Sequence, residues 1–179
     1  MMITTKEALQ RFEETATYYM HELAPYNMEQ LNQKPSDDEW SIGQMVQHLI
    51  NSALYMHLPN MDRCLVPSQD SLVSLAEKTE TGAAAFAQES FPPIRIHVPP
   101  SPQYTPAQPE SKEQLIQGLQ TVIQRMQEIE PILEQASKQN TVSHPSFGGL
   151  CAEEWFQLVE MHYRHHLLQL NRLKQTLVL

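Results

Sequence analysis

The sequence predicts an all-α helical bundle, and three observations carry that prediction. Only 5 of the 179 residues are glycine. Long stretches whose apolar residues recur with the helical period are separated by clusters of proline. No stretch alternates convincingly between polar and apolar with the period of two that a half-buried strand shows. At 179 residues the chain is expected to form one domain, residues 1–179, large enough for one core and too small for two.

The helix starts are written locally. Thr4 with Glu7, Ser41 with Gln44 and Ser111 with Gln114 each put a hydroxyl at the N-cap and Glu or Gln three residues on. In that capping box each side chain satisfies an amide of the first turn that has no partner inside the helix. Helices are therefore expected just after Thr4, Ser41 and Ser111. Two more are expected, one from about Ser71 to Gln88 and one from about Ala152 to Gln175, the latter preceded by Gly148 and Gly149. Pro25, Pro35 and Pro67 fall in the connections, where a missing N–H costs nothing. The result is five helices, four of them long.

Two proline features modify this plan. Pro131 sits inside the periodic stretch from Ser111 to Ser137 and is expected to kink that helix or end it near Glu130. Seven of the 13 prolines lie within residues 92–110, which prevents a helix and favours extended or polyproline II chain. Ile94, Ile96, Val98 and Tyr104 make this proline-rich loop too apolar for a free linker, so it is expected to pack on the bundle or on a partner subunit. A lid or binding role suits a loop of that length.

Charge and cysteine usage narrow the function classes. Lys and Arg total 12 against 21 Asp and Glu, a net charge of −9, with no basic stretch interleaved with aromatics. Such a field repels phosphate backbones and anionic membranes, so neither nucleic acid nor a membrane surface is expected as a partner. Cys64 and Cys151 are the only cysteines and form no CxxC. With no signal-like N-terminus and no apolar run of ~18 residues, the expectation is a cytoplasmic protein with reduced thiols.

The chemistry is carried by His48, His162 and His166. At ~100° per residue around the last helix, Trp155, Val159, His162, His166, Leu170 and Leu173 share one arc, with Gln157, Glu160, Arg164 and Asn171 opposite. His162 and His166 are thus neighbours on adjacent turns, facing the bundle interior. In the helix after Ser41, the apolar face is Ile42, Val46, Leu49, Ile50 and Ala53, whereas His48 shares its side with Gln44, Met45, Ser52 and Tyr55. That mixed second stripe reads as the wall of a cavity.

Two imidazoles on one helix and a third from a facing helix form a tripod with coordination positions left open. Such a site suits Zn²⁺, and Ni²⁺ or Fe²⁺ fit the same ligand type. The competing reading is a set of buried structural histidines bonded to carbonyls or water. No H-E-x-x-H motif and no repeated Glu-x-x-His is present, which disfavours zincin and di-iron chemistry. His165 falls about 60° from His162 toward the rim and is not expected to be a ligand. His21, His57 and His97 have no partner at ligand spacing and read as ordinary surface or satisfied residues.

The stretch from Trp40 and Ser41 to His48 and Leu49 resembles the WSxxxxxxHL signature of DinB-like proteins. His144-Pro145-Ser146-Phe147-Gly148, Glu154-Trp155, and His162 to Gln169 resemble that family's HPxFG, EW and HxxxHHxxQ patterns. The resemblance implies an up-down-down-up four-helix bundle, here with an extra short helix and the proline-rich insertion. It also implies a metal site whose ligands match His48, His162 and His166, and a homodimer. Two features depart from the pattern: Cys151 stands where relatives usually have Ser or Thr before the last helix, and the proline-rich insertion has no counterpart. With a poor N-cap at Cys151, the helix start is expected to lean on Gly149 or Glu154.

Three functions follow as expectations. Superfamily members use a metal to activate a low-molecular-weight thiol, or are called hydrolases, or have no assigned activity. Hydrolysis normally also wants a general base or acid beside the metal, commonly Glu or Asp, and the cavity face offers Ser41, Gln44, Ser52 and Tyr55 but no carboxylate. Thiol-dependent S-transfer onto a small-molecule substrate is therefore expected ahead of hydrolysis, with a thiol as cosubstrate. Tyr55 is a candidate for orienting substrate, against a role as core filler or surface residue. His144 is a candidate group behind the metal ligands, against an anchor for the turn before the last helix. A non-catalytic metal- or ligand-binding stress-response protein, or a metal-free bundle, are the alternatives of a different class.

Overall fold

The computed structural model describes residues 3–66, 76–95, 101–102 and 104–177. Helices α1 (Thr5–Leu23), α2 (Met28–Asn32), α3 (Ile42–Ser52), α4 (Leu58–Leu65), α5 (Glu80–Gln88), α6 (Lys112–Leu133), α7 (Ala152–His165) and α8 (Leu167–Thr176) make up most of the chain. A π-helical turn, Ala53–His57, joins α3 directly to α4. His166, with ψ of −7°, joins α7 to α8. The four rods of the bundle are therefore α1, α3–α4, α6 and α7–α8.

Contacts at the rod ends fix the directions. Thr5 Oγ1 donates to Glu130 at 2.8 Å and Lys112 Nζ to the Ala24 carbonyl at 2.8 Å, so α1 and α6 are antiparallel. Ser41 Oγ bonds Gln108 at 2.7 Å, which puts the start of α3 beside the start of α6 and makes these two rods parallel. Gln157 Nε2 donates to the Ile3 carbonyl at 3.0 Å, and Lys174 pairs with Glu22, so α1 and α7–α8 run the same way. The order is up-down-down-up. The segment between α4 and α6, which holds α5 and the proline-rich loop, returns the chain for the parallel step.

The capping boxes at Thr4/Glu7 and Ser41/Gln44 form as the sequence predicts. At α6 the Ser111 hydroxyl accepts from Gln114 N at 3.1 Å, while Gln114 Oε1 reaches one residue further back and accepts from Glu110 N at 2.8 Å. A further box, Asn27 with Gln30, starts the extra short helix α2. At α7 the Glu154 carboxylate accepts from Cys151 N at 3.0 Å, which fills the role expected of it. Glu154 also pairs with Lys78 at 2.5 Å.

Several expectations are corrected. The helix placed from Ser71 begins only at Glu80, capped by the Thr79 side chain; residues 71–75 lie outside the described residues. The reason is non-local. Lys78 bridges Gly148 as an added edge to a two-stranded hairpin, Val142–His144 (β1) with Gly148–Leu150 (β2). Gly149 allows the close approach, since a Cβ there would lie 1.7 Å from the Ala76 carbonyl oxygen. Pro131 does not end α6 at Glu130: it lies inside the last turn and α6 runs on to Leu133. In the proline-rich loop, Pro106 and Pro109 are buried against the start of α3, where Gln44 Nε2 donates to the Pro106 carbonyl at 2.9 Å. Ile94 and Tyr104 are exposed and do not pack on the bundle, which leaves the partner-subunit half of that expectation; Ile96, Val98 and His97 lie outside the described residues.

Helix α7 is the central rod, packed by α1 on one side and α4 on the other. It buries Trp155 and Val159 as expected, but also Tyr163, and Gln157 and Glu160, which the helical wheel places on the opposite face. A helix covered on all sides must satisfy its polar residues internally. Glu160 does so with Arg164, at 2.7 and 3.0 Å. Tyr163 packs edge-on against Phe12 and Tyr19, whose hydroxyl donates to the Tyr163 carbonyl at 2.7 Å.

A candidate metal centre

Helix α3 delivers His48, α7 delivers His162 in its last turn, and His166 occupies the junction with α8. The Nε2 of His162 lies 3.1 Å from His48 Nε2 and 3.1 Å from His166 Nε2. Among the described residues these are the only three His, Cys, Asp or Glu side chains whose ligand atoms gather this closely, all within 4.8 Å. Each ring keeps partial contact with solvent.

The residues fit a cation. Each imidazole Nε2 has one in-plane lone pair or one proton, so an N–H···N bond can satisfy at most one of the two 3.1 Å contacts at His162. A positive ion between the three satisfies all the lone pairs together. Nitrogens ~2.0–2.1 Å from one ion lie ~3.0 Å apart at octahedral and ~3.4 Å apart at tetrahedral angles, and the two spacings at His162, 3.1 Å each, fall between. The outer nitrogens support this protonation pattern. His166 Nδ1 lies 2.8 Å from Gln169 Oε1, which can only accept there and so directs the Nε2 lone pair inward.

Burial also keeps the rings neutral. It pushes His48 down to about 3 and His166 to about 4, with neighbouring imidazoles adding to the effect at His48. His162 is held well below the usual range for the same reasons. Each neutral ring therefore has one nitrogen lone pair to offer at neutral pH. Aromatic rings wall the site: Trp40 lies 4.9 Å from His48 and Phe91 lies 6.5 Å from His162, between ring centres.

The other candidates fall elsewhere. Tyr55 is 77 % exposed and is not brought to the histidines. His144 Nδ1 accepts from Ser146 N at 3.0 Å and Phe147 N at 3.2 Å, and so anchors the hairpin turn. His165 sits at the rim against Phe91, 5.5 Å away between ring centres. His21 is exposed.

Sequence reasoning missed His57, which is buried with its ring centre 5.3 Å from that of His162. On an unbroken α-helix Tyr55 would share the face of His48 and His57 would point away. The π-turn at Ala53–His57 adds one residue to the turn and retards all that follows by about 100°. Tyr55 rotates out and His57 rotates in. The spacing of apolar residues alone could have hinted at this, since Leu58, Met61 and Cys64 continue the buried stripe only if the phase slips.

Comparison with known proteins agrees with this architecture. The uncharacterized protein YuaE of Bacillus subtilis (strain 168) is 24 % identical over 166 residues, covering 93 % of this chain and 96 % of its own. The structure of YfiT from Bacillus subtilis, described as a probable metal-dependent hydrolase with an unusual four-helix bundle topology, superposes with a TM-score of 0.59 at 17 % identity. That match covers 96 % of this chain and 86 % of YfiT. The sequence profile of the DinB superfamily matches residues 11–170, so this chain belongs to the DinB superfamily.

Proposed function

We propose that the protein is a metal-dependent enzyme in which His48, His162 and His166 hold one divalent cation, Zn²⁺ ahead of Ni²⁺ or Fe²⁺, for thiol-dependent S-transfer. The observation that carries the reading is the convergence of three neutral Nε2 atoms with no carboxylate in the set. A divalent cation there supplies Lewis acidity, lowering a coordinated water toward pKa ~7 and deprotonating a coordinated thiol outright.

The chain's own groups favour the thiol. Water attack commonly draws on a free carboxylate as general base, and the two buried ones on α7 are occupied: Glu160 by Arg164, Glu154 by Lys78 and Cys151 N. S-transfer needs none. The sulfur lone pair forms the new C–S bond, the leaving group departs with its electron pair, and the thiol proton passes to solvent. Trp40 and Phe91 offer apolar faces for a small electrophile beside the histidines.

Hydrolysis is the second reading, favoured by the description of YfiT. The test presents zinc-, nickel- and iron-loaded protein with cysteine or glutathione plus chlorodinitrobenzene, and separately with nitrophenyl acetate and no thiol. Thioether formed by wild type and lost in His162→Ala supports S-transfer. Ester cleavage independent of thiol, and equally lost in the variant, replaces it with hydrolysis.

A further inference from the structure

Two ring nitrogens beside the centre have no partner among the described residues: His162 Nδ1 and His57 Nδ1, both buried. Their rings meet edge to face at 5.3 Å between centres and 80° between planes. A third, the buried indole Nε1 of Trp155, belongs to a ring 6.1 Å from that of His57. A buried polar atom left unpaired is costly, and three in one contact group are not a chance leftover of packing. A ligand histidine, moreover, nearly always donates its outer N–H to something that fixes the ring. His166 has Gln169 for this, and His48 has Ser52 Oγ at 3.5 Å. His162 has no such side chain.

We infer that His57 is the positioning residue of His162, acting through one buried water that accepts from His162 Nδ1–H and donates to His57 Nδ1. Water suits the pair because the two nitrogens belong to rings in contact yet neither has a hydrogen-bond partner. The Trp155 N–H gives that water a third partner, the number a buried water typically has. His57 then carries its proton on Nε2, and His162 presents its Nε2 lone pair to the centre. The π-turn has a function on this account: it rotates His57 behind the ligand, the kind of position where π-turns recur. The inference rests on the metal reading above and assigns a role to a residue outside the ligand set.

The experiment measures Zn²⁺ affinity by chelator competition, with the Co²⁺ absorption spectrum as a second readout, on wild type, His57→Phe and His57→Asn. Phenylalanine keeps the ring and removes the acceptor; the Asn Oδ1 restores an acceptor near the position of Nδ1. The expected result is a 10–100-fold loss in His57→Phe with an altered Co²⁺ spectrum, and recovery to within about threefold in His57→Asn. Wild-type affinity in His57→Phe, or equal loss in both variants at unchanged melting temperature, overturns the inference. Should the variants not fold, long-range ¹H–¹⁵N correlation on zinc-loaded wild type decides it. A His162 proton on Nδ1 with a His57 proton on Nε2 supports the inference, and any other pairing overturns it. Wild type that takes up no metal fails the proposed function instead, so the two failures are distinct.

Discussion

Removing the Arg164 side chain is a stringent test of how α7 is buried. Arg164 clasps the fully buried Glu160 carboxylate through Nε and Nη2 at 2.7 and 3.0 Å, and its Nη2 also donates to the Glu89 carbonyl at 2.5 Å. Glu89 ends α5 in the left-handed region at φ 51°, so the guanidinium ties α5 to the last turn of α7, between His162 and His166. Arg164→Ala strands a carboxylate of 0 % exposure. Breaking a fully buried pair from one side costs about 3–5 kcal/mol and a solvated pair ~0–1 kcal/mol; with Arg164 37 % exposed and Glu160 at 0 %, the expected loss lies between, about 2–4 kcal/mol. For a chain of this length that is roughly 4–16 °C in melting temperature. Urea denaturation of metal-free protein measures the loss directly, and Glu160→Gln completes a double-mutant cycle. The double variant is expected to be more stable than Arg164→Ala, because it strands no charge. A loss under about 1 kcal/mol for Arg164→Ala, or additive single effects, would refute the buried-pair account.

Other predictions concern protons. The folded His48 and His166 are pushed to about 3 and about 4, below the 6.5 of the unfolded chain, so their stabilisation is full above pH 6.5 and is lost as pH falls toward those values. Between pH 7 and 5, above the usual carboxylate range, the metal-free protein should lose about 2 kcal/mol for each of the two, and His48→Asn should reduce that slope in urea titrations. A stability constant across that interval contradicts the depressed values. Burial raises the Cys64 and Cys151 thiols to about 11. Native protein should therefore react with Ellman's reagent at pH 8 at least a hundredfold more slowly than urea-unfolded protein, and equal rates would show that the thiols are open.

What was legible in the sequence is what is written locally. A capping box spans three residues, so Thr4, Ser41 and Ser111 mark their helices without knowledge of the fold. The convergence of His48, His162 and His166 was legible for a related reason: His162 and His166 are one turn apart, and the stretch before the π-turn keeps the α-helical phase that His48 obeys. Errors begin where one residue's environment depends on distant chain. The π-turn exchanges Tyr55 for His57 because a single inserted residue changes the phase of all later side chains. Glu160 looks solvent-facing on a wheel, yet α7 is covered on every side, and only the three-dimensional count of neighbouring rods shows it. Residues 76–79 read as helix but are claimed by Gly148 and Phe147, about seventy positions away. No helix among the described residues is long and apolar enough to cross a membrane, in line with the absence of apolar runs.

The central claim is that His48, His162 and His166 hold a metal. Metal content by mass spectrometry, on protein purified without chelating resin and beside a His166→Ala variant, tests it most directly. Near one equivalent of Zn, Ni or Fe in wild type, lost in His166→Ala, is the predicted result. Less than about a tenth of an equivalent in wild type, unchanged after incubation with each of the three metals, would contradict it.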